Sequence, residues 1–250
     1  MSRVDVAENL DASERAVHIE YRDRGAVATL VERARSTPGL TGVSAWSPGS
    51  DGSVASGVPW VRDPLSALMQ GAVVEGWLRR HPAAFFQGNR FLLGALVSEV
   101  TGRTDGDVLD LYAGVGLFGV VLAAASTTRR VVAVEEDRAA ARDLAANAAP
   151  FGDRMRVHEA SAEAVLSGSL RDRPETIIVD PPRVGLSRTV TERLAAARAP
   201  RIVYVACDAA TFARDARRLI EAGYEMSAVR PFDLFPTTAH VECVTSFTRT

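Results

Sequence analysis

The sequence predicts an α/β protein: a largely parallel sheet with helices on both faces, preceded by a small α+β element. Three observations predict it. From about residue 90 short apolar runs alternate with helical stretches, the rhythm of parallel strands joined by covering helices. Residues 1–80 lack that rhythm. With 250 residues, 47% of them apolar, the chain can bury a substantial core.

In chain order, Ala16–Tyr21 alternates like a short strand, residues 25–35 read as a helix, and Thr41–Trp46 reads as another strand. Ser47 to Gly57 is rich in Ser, Gly and Pro and reads as a turn or flexible loop. Further on, strand-like runs fall at Val108–Tyr112, Val131–Glu135, Met155–His158, Thr176–Val179 and Ile202–Ala206. Helical stretches fall at Leu117–Ala125, Arg138–Ala149, Val190–Ala197 and Thr211–Ala222, and two strand-like runs, Glu225–Arg230 and Val241–Thr248, close the chain. The expected division is an element over residues 1–82 and a larger unit over 83–250.

Composition sets limits. No apolar run reaches the roughly 20 residues that span a bilayer, and the polar stretch Met1 to Arg15 carries no apolar leader. The expectation is a cytoplasmic protein with no membrane contact. Cys207 and Cys243 cannot build a four-cysteine zinc or iron–sulfur site, so no metal cluster is expected, and free thiols are favoured over a disulfide. The net charge of −2 does not announce a polyanion partner. All 29 basic residues are arginine, a side chain that grips phosphate and stacks on bases, although a biased genome explains the same count.

The run Leu109–Gly116 follows an apolar strand and precedes a helix, a setting in which glycines let the backbone approach a ligand near unpaired N–H groups. Gly114, Gly116 and Gly119 have G-x-G-x-x-G spacing, and Glu135 ends the next strand, where an acid can hold ribose hydroxyls. Nicotinamide enzymes share that spacing, so the loop alone leaves the cofactor open. Asp180-Pro181-Pro182-Arg183 leaves a strand, with two prolines holding Asp180 at the sheet's carboxyl edge. Cys207 leaves the next strand in the same way, so both side chains can face one crevice; the alternatives are a solvated acid and an inert thiol. Glu242 lies in the last strand-like segment. His240 shares its face if that segment is extended, as a possible base or a structural histidine.

Five stretches in one order carry a resemblance: Phe85-Phe86-Gln87-Gly88-Asn89, Leu109–Gly116, Asp180–Arg183, Val203–Asp208, and the tail from Phe232 to Glu242. Together, over residues 83–250, they resemble the RNA uracil-5-methyltransferases, which make 5-methyluridine in tRNA or ribosomal RNA. The resemblance implies a class I methyltransferase (Rossmann-like) sheet whose terminal strand runs opposite to the others. It implies S-adenosyl-L-methionine as cofactor, RNA as partner, Cys207 as nucleophile and Glu242 as base. Gln87, Tyr112, Gly114, Gly116, Glu135 and Asp180 match positions around the cofactor and uracil. The chemistry is coherent: a thiolate added to carbon 6 of uracil makes carbon 5 nucleophilic, and a base later removes the carbon 5 proton. The target base must leave its stack to be reached.

Two departures stand out. The family usually has Ser-Cys-Asn-Pro around the nucleophile, whereas this chain has Ala206-Cys207-Asp208-Ala209, and an inward-facing Asp208 would oppose a thiolate. Many members also carry an N-terminal RNA-binding barrel, for which residues 1–82 look too short. A core acting on another pyrimidine or small molecule, and a non-catalytic RNA- or cofactor-binding remnant, are the alternative readings.

Overall fold

The computed structural model describes residues 3–21, 27–47, 53–69, 74–168 and 173–249. The N-terminal part is a four-stranded sheet made by β1 (Arg3–Glu8), β2 (Arg15–Glu20), β3 (Gly42–Trp46) and β4 (Val54–Gly57), in that spatial order. Helix α1 (Val27–Arg35) is the crossover that lets β3 pair parallel with β2. Its Val31 packs with Ile19, Val43 and Ala45. The expected helix over 25–35 therefore holds from residue 27, positions 25 and 26 lying outside the described residues.

The end of the expected loop Ser47–Gly57 is instead strand β4, antiparallel to β3; positions 48–52 lie outside the described residues. The facing glycines of β3 and β4, Gly42 and Gly57, are there for close approach. A Cβ on Gly42 would meet the Val58 carbonyl oxygen at 2.0 Å, and Gly57 has φ +72°.

A ribbon of β5 (Val61–Pro64) and β6 (Trp77–Arg80), with the short helix α2 (Leu65–Leu68) between them, leads to α3 (Leu93–Gly102). Leu65, Leu68 and Leu78 enter the same apolar core as Leu93, Leu96 and Val97 of α3, which anchors the ribbon to the larger sheet.

That sheet follows as β7 (Val108–Leu111), α4 (Leu117–Ala124), β8 (Val131–Glu135), α5 (Arg138–Ala148), β9 (Met155–Glu159), α6 (Ala162–Ser167) and β10 (Thr176–Val179). It continues with α7 (Arg188–Ala197), β11 (Arg201–Ala206), α8 (Ala209–Glu221), β12 (Tyr224–Met226), β13 (Arg230–Phe232) and β14 (Glu242–Arg249). The spatial order is β12-β14-β11-β10-β7-β8-β9, with β13 also on β14. Strands β7 to β11 pair parallel, and β14 runs antiparallel to β11.

Neighbouring strand residues divide between two cores. Ile178, Val203 and Val205 join α3 and α4 on one face, whereas Ile177, Val179, Ile202 and Tyr204 join α6, α7 and α8 on the other. The sheet is thus covered on both sides, as its strand–helix rhythm predicts.

The expected strand over 225–230 is broken into β12 and β13. The Ser227 hydroxyl accepts the Ser246 backbone N–H at 3.1 Å, so a side chain takes a donor from the ladder and interrupts the pairing.

The order reverses beside β7: the chain runs outward through β8 and β9, then returns to β10 on β7's other side. Such a reversal parts the loops at the carboxyl ends and opens a crevice there.

Candidate active site

The crevice is a cavity of about 430 Å³ between the carboxyl ends of β7 and β10. Tyr112 and Gly114 reach it from the loop after β7, and Glu135 from the end of β8. Asp180 enters from β10, Cys207 from β11, and Glu242 from the start of β14. Gln87 closes it from the segment before α3. Residues from six separate stretches thus converge on one space.

The three spaced glycines have three different jobs. Gly114 has φ +56° and open space where a Cβ would stand, so it faces the cavity. Gly116 does not line the cavity. It caps α4 at φ +96°, and a Cβ there would meet Leu144 Cδ1 at 2.7 Å. Gly119 lies against Asp110: its N–H donates to Asp110 Oδ2 at 3.0 Å, and a Cβ would stand 2.9 Å from that oxygen. Tyr112 also takes a left-handed φ of +61°, costly for a residue with a side chain. Continued pairing on both sides holds it, because Ala113 N–H donates to the Val134 carbonyl at 3.0 Å while Asp180 N–H reaches the Leu111 carbonyl at 3.5 Å.

Glu135 is clamped by backbone. Gly114 N–H donates to its Oε2 at 2.7 Å and Asp137 N–H to its Oε1 at 2.8 Å. Both bonds tie the carboxylate to the loop without exhausting its acceptor capacity. Asp137 in turn caps α5 through the Ala140 N–H at 2.9 Å. Leu117, Phe118 and Ala140 supply apolar wall, and Phe235 and Pro181 complete it opposite.

Three carboxyl groups, on Glu242, Asp180 and Asp110, lie buried here, and burial dominates their ionisation. Glu242 is fully buried and neither carboxyl oxygen has a hydrogen-bond partner among the described residues, so desolvation pushes it up to about 7. Asp180 is raised well above the carboxylate range by desolvation, then by Glu242, Asp110 and Glu135. Burial also lifts Asp110 to about 7, against the pull of the Gly119 N–H. The half-buried Cys207 thiol is raised by desolvation and by Glu242 and Asp180, with Arg183 opposing. A resting thiol beside acids that hold protons is the consequence. Buried Gln87 Oε1 likewise lacks a partner among the described residues.

Asp208 faces away from this cluster. Its carboxylate caps α8, accepting the Thr211 N–H at 2.8 Å and hydroxyl at 3.0 Å, and these bonds lower its pKa. The Asp in place of the family's Asn therefore stabilises a helix start, and Cys207 feels Glu242 and Asp180 instead. The same Thr211 oxygen lies 3.0 Å from the Arg183 carbonyl, so its one proton is shared between that carbonyl and Asp208, which ties the Asp180–Arg183 loop to α8. Asp215 reinforces that tie, accepting from Leu186 N–H at 2.7 Å and from the Tyr204 hydroxyl at 3.0 Å.

His240 is not brought to the cavity. It precedes β14 and stands edge-on to Phe235, ring centres 6.2 Å apart. Sequence reasoning missed Phe118, Ala140 and Asp137 as cavity residues. For Asp137 a signal existed, a capping-type residue two positions after Glu135 at a strand-to-helix junction; Phe118 and Ala140 read only as apolar helix positions.

The sheet and its crevice are those of the class I methyltransferase fold. The architecture matches a putative transferase from Pyrococcus horikoshii over the whole chain and 91% of that protein, at a TM-score of 0.57 and 13% identity. A nearer likeness, at a TM-score of 0.78 and 26% identity, is the Pyrococcus abyssi tRNA (uracil-54, C5)-methyltransferase in complex with S-adenosyl-L-homocysteine, covering 97% of this chain and 58% of that one. The tRNA (uracil-5-)-methyltransferase family model matches residues 78–250, and the chain belongs to that family. An uncharacterized RNA methyltransferase of Streptomyces coelicolor is 38% identical over 197 residues, 78% of this chain and 42% of the relative. One from Thermotoga maritima is 37% identical over 192 residues, 73% of this chain and 43% of the relative. The chain spans less than half the length of these relatives.

Proposed function

We propose that this chain transfers a methyl group from S-adenosyl-L-methionine to carbon 5 of a uridine in RNA, through a covalent bond between Cys207 and carbon 6. The observation that carries the reading is a single one: a thiol, an unpartnered buried carboxyl and a glycine loop with its clamped acid share one cavity. Family membership and the likeness to the Pyrococcus abyssi enzyme support it.

The residues present fit the cofactor. Gly114 leaves open space beside the wall, Glu135 keeps acceptor capacity for ribose hydroxyls, and Phe118 and Ala140 offer an apolar surface for a purine ring. Bound there, S-adenosyl-L-methionine would supply an electrophilic methyl group. The Cys207 sulfur, as thiolate, adds to carbon 6 and leaves carbon 5 with enolate character. Once carbon 5 is methylated it still holds its hydrogen. Glu242, ionised, takes that proton, and the carbon–sulfur bond breaks to restore the ring and the thiolate. A carboxyl near 7 has a basicity suited to that task at neutral pH. Asp180 and Gln87 present polar atoms to the cavity and can orient the uracil amide edge; burial leaves Gln87 Oε1 in want of a donor.

We assign residues 83–250 as the catalytic unit and residues 1–82 as an accessory, RNA-contacting part.

The test is RNA carrying 5-fluorouridine, in which carbon 5 bears no removable proton. Incubated with the cofactor, the protein is expected to form an adduct that survives denaturing electrophoresis and disappears in Cys207→Ala, which should still bind S-adenosylhomocysteine. An adduct of undiminished yield in Cys207→Ala would overturn the assignment.

A further inference from the structure

A second and larger hollow, about 980 Å³, adjoins the catalytic cavity. One side is β1, contributing Arg3, Val6 and Glu8; the other is the segment from Pro82 to Phe91. The two spaces share Phe85, Phe86, Gln87 and Asp137, so the hollow opens onto the place where a target base would sit.

Its surface chemistry is unusual for a face in water. Phe91 is 83% exposed and Phe85 is 75% exposed, the two most exposed of the large apolar side chains among the described residues. The Arg90 guanidinium lies 5.4 Å from the centre of the Phe91 ring. Among the described residues only Nη1 of Arg90 donates, to Glu8 Oε1 at 3.0 Å, which leaves most of its fork for an acceptor. Arg3 stands on the opposite wall, paired with Asp5. Acids lie there too, so this is no uniformly cationic patch. It offers flat rings for bases and separate guanidinium groups for phosphates, the combination that tracks single-stranded nucleic acid.

We propose that this groove holds the single-stranded RNA next to the target uridine, with a neighbouring base stacked on Phe91 and its phosphate met by Arg90. The inference rests on the RNA reading above and assigns the track by which the strand enters the site. It also gives the N-terminal element a role, since β1 forms one bank.

The experiment is filter binding of end-labelled, unmodified total tRNA and rRNA to the wild-type chain, Phe91→Ala and Phe91→Trp, with S-adenosylhomocysteine affinity and sedimentation measured on each. Phe91→Ala is expected to weaken RNA binding about tenfold or more, the scale of one base–aromatic stack. Phe91→Trp should restore it, with cofactor affinity unchanged throughout. RNA binding that is equal in the wild type and Phe91→Ala would overturn the groove and leave the function standing. Wild-type protein that binds neither RNA would remove the RNA reading and the groove with it. Loss of self-association in Phe91→Ala with RNA affinity intact would make the ring a protein contact and overturn the proposal.

Discussion

At the scale of single residues, the site works through the cost of burying charge. Burial favours the protonated form of both Cys207 and Glu242, and Glu242 adds to the rise of the thiol while Arg183 opposes it. On the proposed mechanism both must be ionised when they act, the thiol to attack and the acid to accept a proton. The single-turnover rate should therefore climb with pH through about 7, where Glu242 loses its proton; a flat profile from pH 6 to 9 would contradict the assignment. Glu242→Gln keeps the shape and cannot take the proton. Turnover should fall by roughly 10²- to 10⁴-fold, and a methylated enzyme–RNA adduct should accumulate on a denaturing gel.

At the scale of elements, strand ends carry the chemistry and helix starts hold it in place. The caps of α5 and α8, Asp137 and Asp208, follow Glu135 by two positions and Cys207 by one, so each functional side chain is set by a near neighbour that begins the next helix. Asp208→Ala should lower the melting midpoint by about 2–4 °C through loss of the cap and loosen the link from Thr211 to Arg183. Asp208→Asn keeps a good cap, so its midpoint should match the wild type within a degree or so. A drop in Asp208→Asn as large as that in Asp208→Ala would mean that the charge, not the cap, is what matters.

Across the whole molecule, the acid cluster ties stability to pH. Glu242 and Asp110 have folded-state pKa values of about 7, above their unfolded values, so between roughly pH 4 and 7 the unfolded chain gives up protons that the folded chain keeps. Asp180 shifts in the same direction. Stability from these groups is thus fully present below about pH 4, declines as the pH rises, and levels off above about 7. Thermal melts should show a higher midpoint at pH 5.5 than at pH 8, and Glu242→Gln should flatten part of that decline. A midpoint that rises over the same range in the wild type, with no change of slope in the mutant, would sink the argument.

Local order was legible in the sequence. The strand–helix rhythm gave the parallel sheet, because buried strands and their covering helices each impose a period on the chain. The glycine loop, Glu135, Asp180, Cys207 and Glu242 could be named as candidates because short motifs at strand ends are local signals. Tertiary structure decided the rest. Which strands are neighbours depends on contacts between distant residues, so the reversal beside β7 that opens the crevice, and the meeting of Cys207 with Glu242, had no local cue of their own. Strand β4 hid in a glycine-rich run, since its pairing rests on close backbone approach rather than side-chain pattern. The outward turn of Asp208, the retreat of Gly116 into packing and the exposure of Phe91 are set by what surrounds each side chain in space, and neighbours in sequence do not specify that.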